Sequence, residues 1–241
     1  MNKHDSQLMV EVVSATRLSE EDFWNKSALG ISLCRFADDA RLITHIAYEN
    51  KRGLSSIYND RIGARNKHDL LVFIHDDVWI DDYFFIDRII EGCEQFDIIG
   101  IAGNQRRIID EFSWLFIDQE FTWDSTANLS GCVAHGDTPF GEVTRFGVTP
   151  AECELLDGVF MAASKNALTG RGIAFDPVFD FHFYDLDFCR TARQKGLKLG
   201  TWPICLTHQS AGAFSSPDWM KMSKLYRAKW PTSPPAQPLA K

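Results

Sequence analysis

The chain has 241 residues, of which 45% are hydrophobic and 24% are charged, a composition typical of a globular protein with an apolar core. It carries 25 lysines and arginines against 33 acidic residues, so its formal net charge is -8. This charge argues against a broad nucleic-acid surface, which would need a basic face. A nucleotide ligand still fits, because a small anion needs only a local site and a cation.

Six cysteines are spread along the chain, and none of them forms a Cys-x-x-Cys pair. This spacing argues against a structural zinc site, and several cysteines lie in apolar runs that favour buried free thiols. The first residues are polar and lack the apolar core of a signal peptide. No segment approaches the roughly 18 apolar residues that a membrane span needs. We therefore expect a cytoplasmic protein, with peripheral membrane contact left open.

Strand-like and helix-like segments alternate in the first half of the chain. The hydrophobic patterns predict strands at 8–13, 42–48, 70–74 and 97–102, and helices at 20–27, 52–65 and 82–93. The segment 70–74 is continuously apolar, as in a strand that is buried on both faces. Such alternation predicts an α/β fold with a mostly parallel central sheet flanked by helices.

The pattern weakens between residues 105 and 150, where we expect hairpins and loops that shape a pocket. Further along, the sequence predicts a strand at 155–162, a helix at 184–195, a strand at 197–206 and an amphipathic helix at 217–230. Four prolines after residue 230 predict a flexible tail at 231–241. Residues 1–230 would then form a single domain.

The sequence His-Asp-Asp at 75–77 directly follows the buried strand at 70–74. In open α/β sheets, ligands bind beyond the carboxyl ends of the strands. Two adjacent carboxylates repel each other unless a cation or a proton relieves them, and their oxygens suit Mg²⁺ or Mn²⁺. The pattern therefore indicates a divalent-metal and nucleotide-phosphate site. A polar turn that caps the next helix would explain the same residues.

Three more segments place polar residues where chemistry would need them. Asp157 lies between apolar residues, where a carboxylate is costly to bury unless it is paired, and Gly158 allows a close approach. Asp185 and Asp187 lie near a predicted helix start, and His208 follows a predicted strand. Each has a structural alternative, namely a strand bulge, N-terminal capping of the helix and a structural histidine.

The order of these four segments resembles glycosyltransferase family 2, whose members have the nucleotide-diphospho-sugar-binding, Rossmann-like GT-A fold. Residues 72–78 and 181–189 look more narrowly like the subgroup named for a streptomycin-biosynthesis protein. The resemblance extends over roughly residues 8–212, and the Lys-Trp pair at 229–230 is similar to the family's closing segment. The chain departs from the pattern at His75, where the family has Asp, and at Tyr184, where Glu is common.

The resemblance implies a role for each of these positions. Asp77 would bind the metal with His208 as a second ligand, and Asp185 would take the proton from the acceptor hydroxyl. The residues expected to bind the nucleotide sugar form a larger set, which comprises Ser14, Ala15, Thr16, Asn50, Asp76, Asp77, Asp157 and Gly158.

The chemistry of sugar transfer explains why these residue types are needed. A sugar hydroxyl is a poor nucleophile, so a carboxylate within hydrogen-bond reach must accept its proton. The leaving nucleoside diphosphate gains negative charge, which Mn²⁺ or Mg²⁺ would stabilise. The resemblance adds in-line attack with inversion. We therefore expect a metal-dependent inverting glycosyltransferase with a nucleoside-diphosphate-sugar donor. The acceptor stays open among a glycan, a lipid-linked sugar, a natural product and a protein.

Two other functions fit parts of the pattern. A non-catalytic GT-A-like module would bind a nucleotide sugar or a partner with the same residues, since a fold does not guarantee activity. A nucleotidyltransferase or phosphohydrolase would use the same acids, but it would need a glycine-rich phosphate loop with Lys or Arg. The segment 50–54 is the one weak candidate for such a loop, so this alternative ranks last.

Overall fold

The computed structural model describes residues 7–65, 68–108, 110–210, 212 and 214–231, and the predicted tail from residue 232 onward lies outside them. The strands are β1 Val10–Ala15, β2 Leu42–Ala47, β3 Leu70–Ile74, β4 Val78–Ile80, β5 Ile98–Gly100, β6 Ala102–Asn104, β7 Leu129–His135, β8 Glu142–Arg145, β9 Ala151–Cys153, β10 Leu155–Leu156, β11 Phe160–Ser164, β12 Leu199–Thr201 and β13 Leu206–His208. The helices are α1 Glu20–Lys26, α2 Ala28–Leu33, α3 Leu54–Ile62, α4 Phe85–Gln95, α5 Lys165–Arg171, α6 Tyr184–Gln194 and α7 Pro217–Lys229, with a short 3-10 helix at Cys34–Phe36.

Within the described residues, the central sheet has seven strands in the order β2-β1-β3-β11-β5-β12-β9. β1 pairs in parallel with β2 and β3, and β5 pairs in parallel with β12. β11 runs antiparallel between β3 and β5, and β9 runs antiparallel at the edge. Five of these seven strands therefore point the same way, which confirms the predicted mostly parallel sheet but adds two reversed strands. Helices α3 and α4 pack against this sheet.

Three of the predicted strands each divide into two. The segment 97–102 forms β5 and the start of β6, 155–162 forms β10 and the start of β11, and 197–206 forms β12 and the start of β13. In each pair, one strand belongs to the central sheet and the other to a second sheet, ordered β10-β6-β7-β13-β4. A hydrophobic run does not reveal such a bend, because the residues on both sides of it are buried.

The short helix α2, which the sequence patterns did not predict, supports the segment that follows β3. Ser27 ends α1 by donating to the Phe23 carbonyl at 2.8 Å, and it starts α2 by accepting from the Gly30 amide at 2.9 Å. A side chain at Gly30 would clash with the Phe23 carbonyl, so this tight junction needs glycine. Leu29 then donates its amide to the Asp76 carbonyl at 3.1 Å, which ties α2 to the predicted metal segment.

An aromatic cluster joins the central sheet to helices α3 and α6. Phe73 of β3 packs against Tyr58 of α3 with ring centroids 4.8 Å apart, and against Phe175 at 5.1 Å. Phe175 stacks in turn on Phe188 of α6 at 3.9 Å, and all four rings are buried. Because aromatic side chains bury large areas, this packing fixes α6 relative to β3.

The cysteines and the helices bear on the predictions about the protein's surroundings. All six cysteines are free; Cys153 and Cys189 are buried as expected, whereas Cys34 and Cys205 are exposed. Burial raises the pKa of the Cys189 thiol well above its ordinary value, so this thiol stays protonated and unreactive. Among the helices of the described ranges, none has the length and apolarity needed to cross a membrane.

Candidate active site

A cavity of about 650 Å³ opens where the two sheets and the start of α6 meet. We call six of its polar lining residues the polar wall, namely His75, Asp76, Asp77, Asp157, Asp185 and His208. Its aromatic wall comes mainly from the long connection between β6 and β7 and from the residues around the start of α7. It includes Phe112, Trp114, Phe116, Trp123, Phe214 and Trp219. The prediction that residues 105–150 shape a pocket is thereby confirmed.

His75, Asp77 and His208 form a histidine–aspartate cluster in the polar wall. One ligand atom of each side chain lies within 4.8 Å of those of the other two. The second sheet creates this proximity, because β13 pairs with β4 and places His208 opposite Val78. Asp77 and His208 are the two predicted metal ligands, and the structure brings them together, with Asp77 Oδ1 3.2 Å from His208 Nε2.

The donor set of the histidine–aspartate cluster fits a divalent cation. Asp77 Oδ1 is buried, has no regular hydrogen bond from the residues that the structure describes, and lies 3.2 Å from His208 Nε2. Such an atom is costly to bury, and a cation held by two imidazoles and a carboxylate would remove the cost. Burial acts to raise the pKa of Asp77, but His208 and His75 lower it overall, so the carboxylate is ionised.

His75 presents an unprotonated ring nitrogen that the sequence patterns did not assign to the metal. Its Nε2 lies 2.9 Å from the Tyr184 hydroxyl, which itself donates to the Gly158 carbonyl at 2.8 Å. Because the single hydroxyl proton goes to Gly158, Tyr184 accepts from His75, and Nδ1 is left without a hydrogen. Metal-binding histidines commonly have their second nitrogen held in this way. Burial also lowers the pKa of His75, which favours the neutral ring.

Asp185 lies in the first turn of α6 and faces the cavity. Its Oδ2 accepts a hydrogen bond from the Gly158 amide at 3.0 Å. Burial, followed by the nearby charge of Asp157, raises the pKa of Asp185 to about 7. A carboxyl group whose pKa lies near the working pH is well suited to accept a proton during a reaction.

Gly158 is the contact point between α6 and the turn that follows β10. A Cβ atom at this position would lie 2.5 Å from the Tyr184 hydroxyl and 2.9 Å from Asp185 Cβ. Its carbonyl binds Tyr184 and its amide binds Asp185, so one residue aligns both side chains. The close approach predicted at Gly158 is therefore an approach of helix α6 to this residue.

Asp157 links the polar wall to the aromatic wall. Trp114 Nε1 donates to its Oδ2 at 2.7 Å, and the Val159 amide donates to its Oδ1 at 2.8 Å. Charge-assisted hydrogen bonds of this kind hold a carboxylate firmly. Both carboxylate oxygens have protein partners, so the geometry also agrees with a purely structural role of Asp157 in the turn after β10.

The end of β1 supplies part of the predicted nucleotide site. Ala15 and Asp76 line the cavity, and Thr16 is buried next to Ala15. Burial raises the pKa of Asp76, and a hydrogen bond with Thr16 opposes this rise. These three residues are therefore brought together where β1 and β3 end.

Ser14 and Asn50 do not line the cavity. The strand predicted at 8–13 continues to Ala15 as β1, so Ser14 is buried in this strand opposite Ile46 of β2. The side chain of Asn50 binds the backbone of Arg52, accepting from its amide at 3.0 Å and donating to its carbonyl at 2.7 Å. Asn50 thus shapes a turn with its side chain.

Asp187 is turned away from the cavity and fastens α7 to α6. Its Oδ1 lies 2.7 Å from Lys229 Nζ and accepts a hydrogen bond from Trp230 Nε1, also at 2.7 Å. Lys229 contacts Asp176 as well, again at 2.7 Å. The Lys-Trp pair that resembled the family's closing segment therefore holds the beginning of α6, two residues beyond Asp185.

Sequence patterns missed several residues of the site. His135 of β7 lies opposite His208 in the parallel pair β7–β13, with ring centroids 6.2 Å apart. Only the register of the second sheet brings these two rings together, and the register was not readable from the chain. The alternating aromatic residues at 112–116 were a detectable signal, since this spacing places side chains on one face of an extended segment.

The chain is similar in structure to S. aureus TarS 1-349, with a TM-score of 0.51 and 12% identity, over 92% of this chain and 65% of that one. It is also similar to A197 from STIV, with a TM-score of 0.43 and 13% identity, over 84% and 83% of the two chains. A structure of GalNAc-T7 with UDP, GalNAc and Mn²⁺ gives a TM-score of 0.48 and 11% identity, over 87% of this chain and 45% of that one.

The chain thus spans less than two thirds of the length of TarS 1-349 and less than half of GalNAc-T7. No curated protein sequence matches it. A model of the glycosyltransferase-like family matches residues 16–222, which is most of the chain and includes the polar wall. The protein has the GT-A fold and belongs to the glycosyltransferase-like family.

Proposed function

We propose that this protein is a metal-dependent inverting glycosyltransferase, which moves a sugar from a nucleoside-diphosphate sugar to an acceptor hydroxyl. One observation carries the proposal: the histidine–aspartate cluster and Asp185 face the same cavity. Three hydrogen bonds join them, from His75 to Tyr184, from Tyr184 to the Gly158 carbonyl, and from the Gly158 amide to Asp185. A leaving diphosphate and a base would thus lie side by side.

The histidine–aspartate cluster would hold the metal. When bound, a divalent cation would neutralise the charge that develops on the leaving diphosphate. No lysine or arginine of the described residues lines the cavity, so a cation would be the main positive charge available to the donor. Two imidazoles favour Mn²⁺ over Mg²⁺, because Mg²⁺ prefers oxygen ligands.

Asp185 would act as the base. The Gly158 amide orients its carboxylate, and a pKa of about 7 leaves a large ionised fraction at neutral pH. Asp157 is a poor candidate for a covalent nucleophile, because both of its oxygens already accept hydrogen bonds from the protein. One base without a second nucleophile supports direct displacement, which inverts the anomeric carbon.

The nucleotide would bind at the end of β1, beyond the carboxyl ends of the parallel strands. Ala15 and Asp76 would contact it, with Thr16 holding Asp76. The Asn50 amide donates to the Thr16 carbonyl at 2.8 Å, so Asn50 would support this loop from behind. Ser14 would support the nucleotide site indirectly, as the residue of β1 that precedes Ala15. Asp157 and Gly158 would face the donor sugar.

Two finer assignments rest on the family resemblance and on the cysteines. Residues 72–78 and 181–189 support membership in the streptomycin-biosynthesis-protein subgroup. The free cysteines support a reducing, cytoplasmic location.

A thermal-shift screen tests the proposed function. UDP-, GDP-, dTDP- and CDP-sugars would each be added with Mn²⁺, with Mg²⁺ and with EDTA, because a ligand of the folded state raises the melting temperature by mass action. We expect one nucleotide class to stabilise the protein with Mn²⁺ and to lose this effect in EDTA. Equal stabilisation in EDTA would contradict the metal site. Release of the nucleoside diphosphate then separates an enzyme from a non-catalytic module.

A further inference from the structure

We propose that the aromatic wall is the acceptor site and that its occupant is an uncharged sugar ring carried by a neutral glycoside. This inference rests on the proposed glycosyltransferase function and specifies its acceptor class.

Several rings of the cavity are exposed although they lie in a concave site. Trp123 is 50% exposed and Phe214 is 36% exposed, and both line the cavity. Phe181, which stacks near His75, is 53% exposed at the same opening. Apolar surface that faces water in a concave site marks a place where a ligand binds.

The exposed rings stand on buried ones, so the wall has a defined shape. Trp123 packs against Phe146 at 5.5 Å between centroids, and Phe146 packs edge-on against the buried Trp114 at 4.9 Å. Phe214 packs edge-on against the buried Phe116 at 5.0 Å. Each of these rings is therefore held by packing and keeps part of its surface exposed, where a flat ligand could stack.

The charges of the cavity exclude an anionic acceptor. Asp76, Asp77, Asp157 and Asp185 line it, while the described residues contribute no lysine or arginine. The donor diphosphate would have the cation of the histidine–aspartate cluster, but a phosphate or carboxylate on the acceptor would have no counterpart. Such a group would be repelled by the carboxylates and would lose its hydration. The acceptor must therefore be neutral near its reacting hydroxyl.

A sugar ring combines the two properties that these walls require. Its C–H faces are apolar and can stack on an aromatic side chain, whereas its edges carry hydroxyl groups. The walls meet at the hydrogen bond between Trp114 and Asp157, 2.7 Å long, and the next residue, Gly158, donates its amide to Asp185 Oδ2 at 3.0 Å. A ring stacked on Trp123 would thus offer an edge hydroxyl toward the carboxylate that accepts its proton.

Matched pairs of glycosides test the inference. The probes are p-nitrophenyl hexosides (gluco, galacto and manno) and the corresponding uronides, which differ in having a carboxylate at C6. Calorimetric titrations would be made into the protein with saturating Mn²⁺ and UDP. We expect at least one hexoside to bind about tenfold more tightly than its uronide, since one unpaired anion in a site costs at least this much.

Two variants show whether the wall is responsible. Trp123→Ala should weaken binding of the same hexoside about tenfold, the size expected for one lost stacking contact. Phe84→Ala is the control, because Phe84 is 63% exposed and does not line the cavity, and it should change nothing. Both variants should keep the affinity for UDP with Mn²⁺ within about twofold, since neither residue touches the polar wall.

The inference is overturned if no hexoside binds more tightly than its uronide or if Trp123→Ala leaves hexoside binding unchanged. It is also overturned if p-nitrophenol alone, or octyl alcohol as a lipid probe, binds as tightly as the hexoside, because the sugar ring would then contribute nothing. These results differ from a failure of the proposed function, in which none of UDP, GDP, dTDP and CDP would show metal-dependent binding to the unmodified protein.

Discussion

The two walls of the cavity are built in different ways. The polar wall stands at the ends of β3 and β13 and at the start of α6, and backbone or side-chain hydrogen bonds orient its members. The aromatic wall comes mainly from the long connection before β7 and from residues around the start of α7, and its rings are held by packing against one another. Regular elements position groups more accurately than loops do, while loops vary more freely.

This contrast assigns different tasks to the two walls. Groups that handle charge and protons need fixed positions, and the polar wall provides them. A surface that recognises an acceptor needs shape and apolar area, and the aromatic wall provides both. Substitutions in the polar wall should therefore change turnover or metal binding, whereas those in the aromatic wall should change acceptor affinity alone.

Asp185→Asn should give the largest loss of turnover of all these substitutions. A small loss would contradict the assignment of proton transfer to the polar wall. The amide keeps an oxygen for the Gly158 N–H but cannot accept the acceptor's proton. We expect turnover to fall about 10²- to 10⁴-fold, the usual contribution of a general base. Affinity for UDP with Mn²⁺ should stay nearly unchanged by calorimetry. Asp157→Asn is the comparison variant. An equal or larger loss of turnover in Asp157→Asn would mean that Asp157, and not Asp185, is the base.

Asp77→Ala should come next and tests the metal half of the polar wall. The substitution removes the only carboxylate of the histidine–aspartate cluster. Electron paramagnetic resonance of free Mn²⁺ should show that metal affinity falls about 100-fold, at the upper end of what metal-site substitutions cost. Asp137→Ala, an exposed acid that does not line the cavity, is the control. Unchanged Mn²⁺ binding in Asp77→Ala would rule out this site.

The pH dependence of turnover sharpens the assignment of Asp185. The base must be ionised, and its pKa is raised to about 7. At saturating metal and donor, kcat should therefore rise about tenfold per pH unit below pH 7 and level off above it. A profile that is flat from about pH 5 to about pH 8 would contradict this role, because an ordinary Asp would already be ionised throughout that range.

Tyr184→Phe should lower Mn²⁺ affinity less than Asp77→Ala does, because Tyr184 contacts the polar wall through His75. The change removes the hydroxyl that accepts from His75 Nε2 and donates to Gly158, so the His75 ring loses its fixed tautomer. We expect Mn²⁺ affinity to fall about tenfold, as for other partners that orient metal ligands. Tyr58→Phe, on the neighbouring buried ring, is the control for packing. Equal Mn²⁺ affinity in both variants would show that Tyr184 has a packing role only.

Much of the polar wall could be predicted because short motifs follow strands that are easy to recognise. The segment Leu70–Ile74 is continuously apolar, and the acids after it necessarily stand at the sheet edge. Asp77 and His208 follow strands in this way, whereas Asp185 was predicted at a helix start; all three line one cavity. The tautomer of His75 was not predictable, because it depends on a hydroxyl 109 residues away in sequence.

The aromatic wall and the second sheet show what sequence patterns leave out. Strands of two to four residues, such as Leu155–Leu156, have no measurable period. The junction at Ser27 was not predicted either. The helix α2 has only six residues and gives a weak periodic signal, and one serine caps both α1 and α2. Trp123 joins the cavity through packing against Phe146, a long-range contact that no local rule foresees.

The fastening of α7 to α6 has a practical consequence for anyone who wishes to label or trim this protein. Asp187 is buried, and two of its contacts come from Lys229 and Trp230. Deleting those two residues would leave the carboxylate without its donors, at a cost of about 1–3 kcal/mol. A tag or reporter should therefore be joined beyond residue 231, because a junction placed earlier would loosen the very helix turn that carries Asp185.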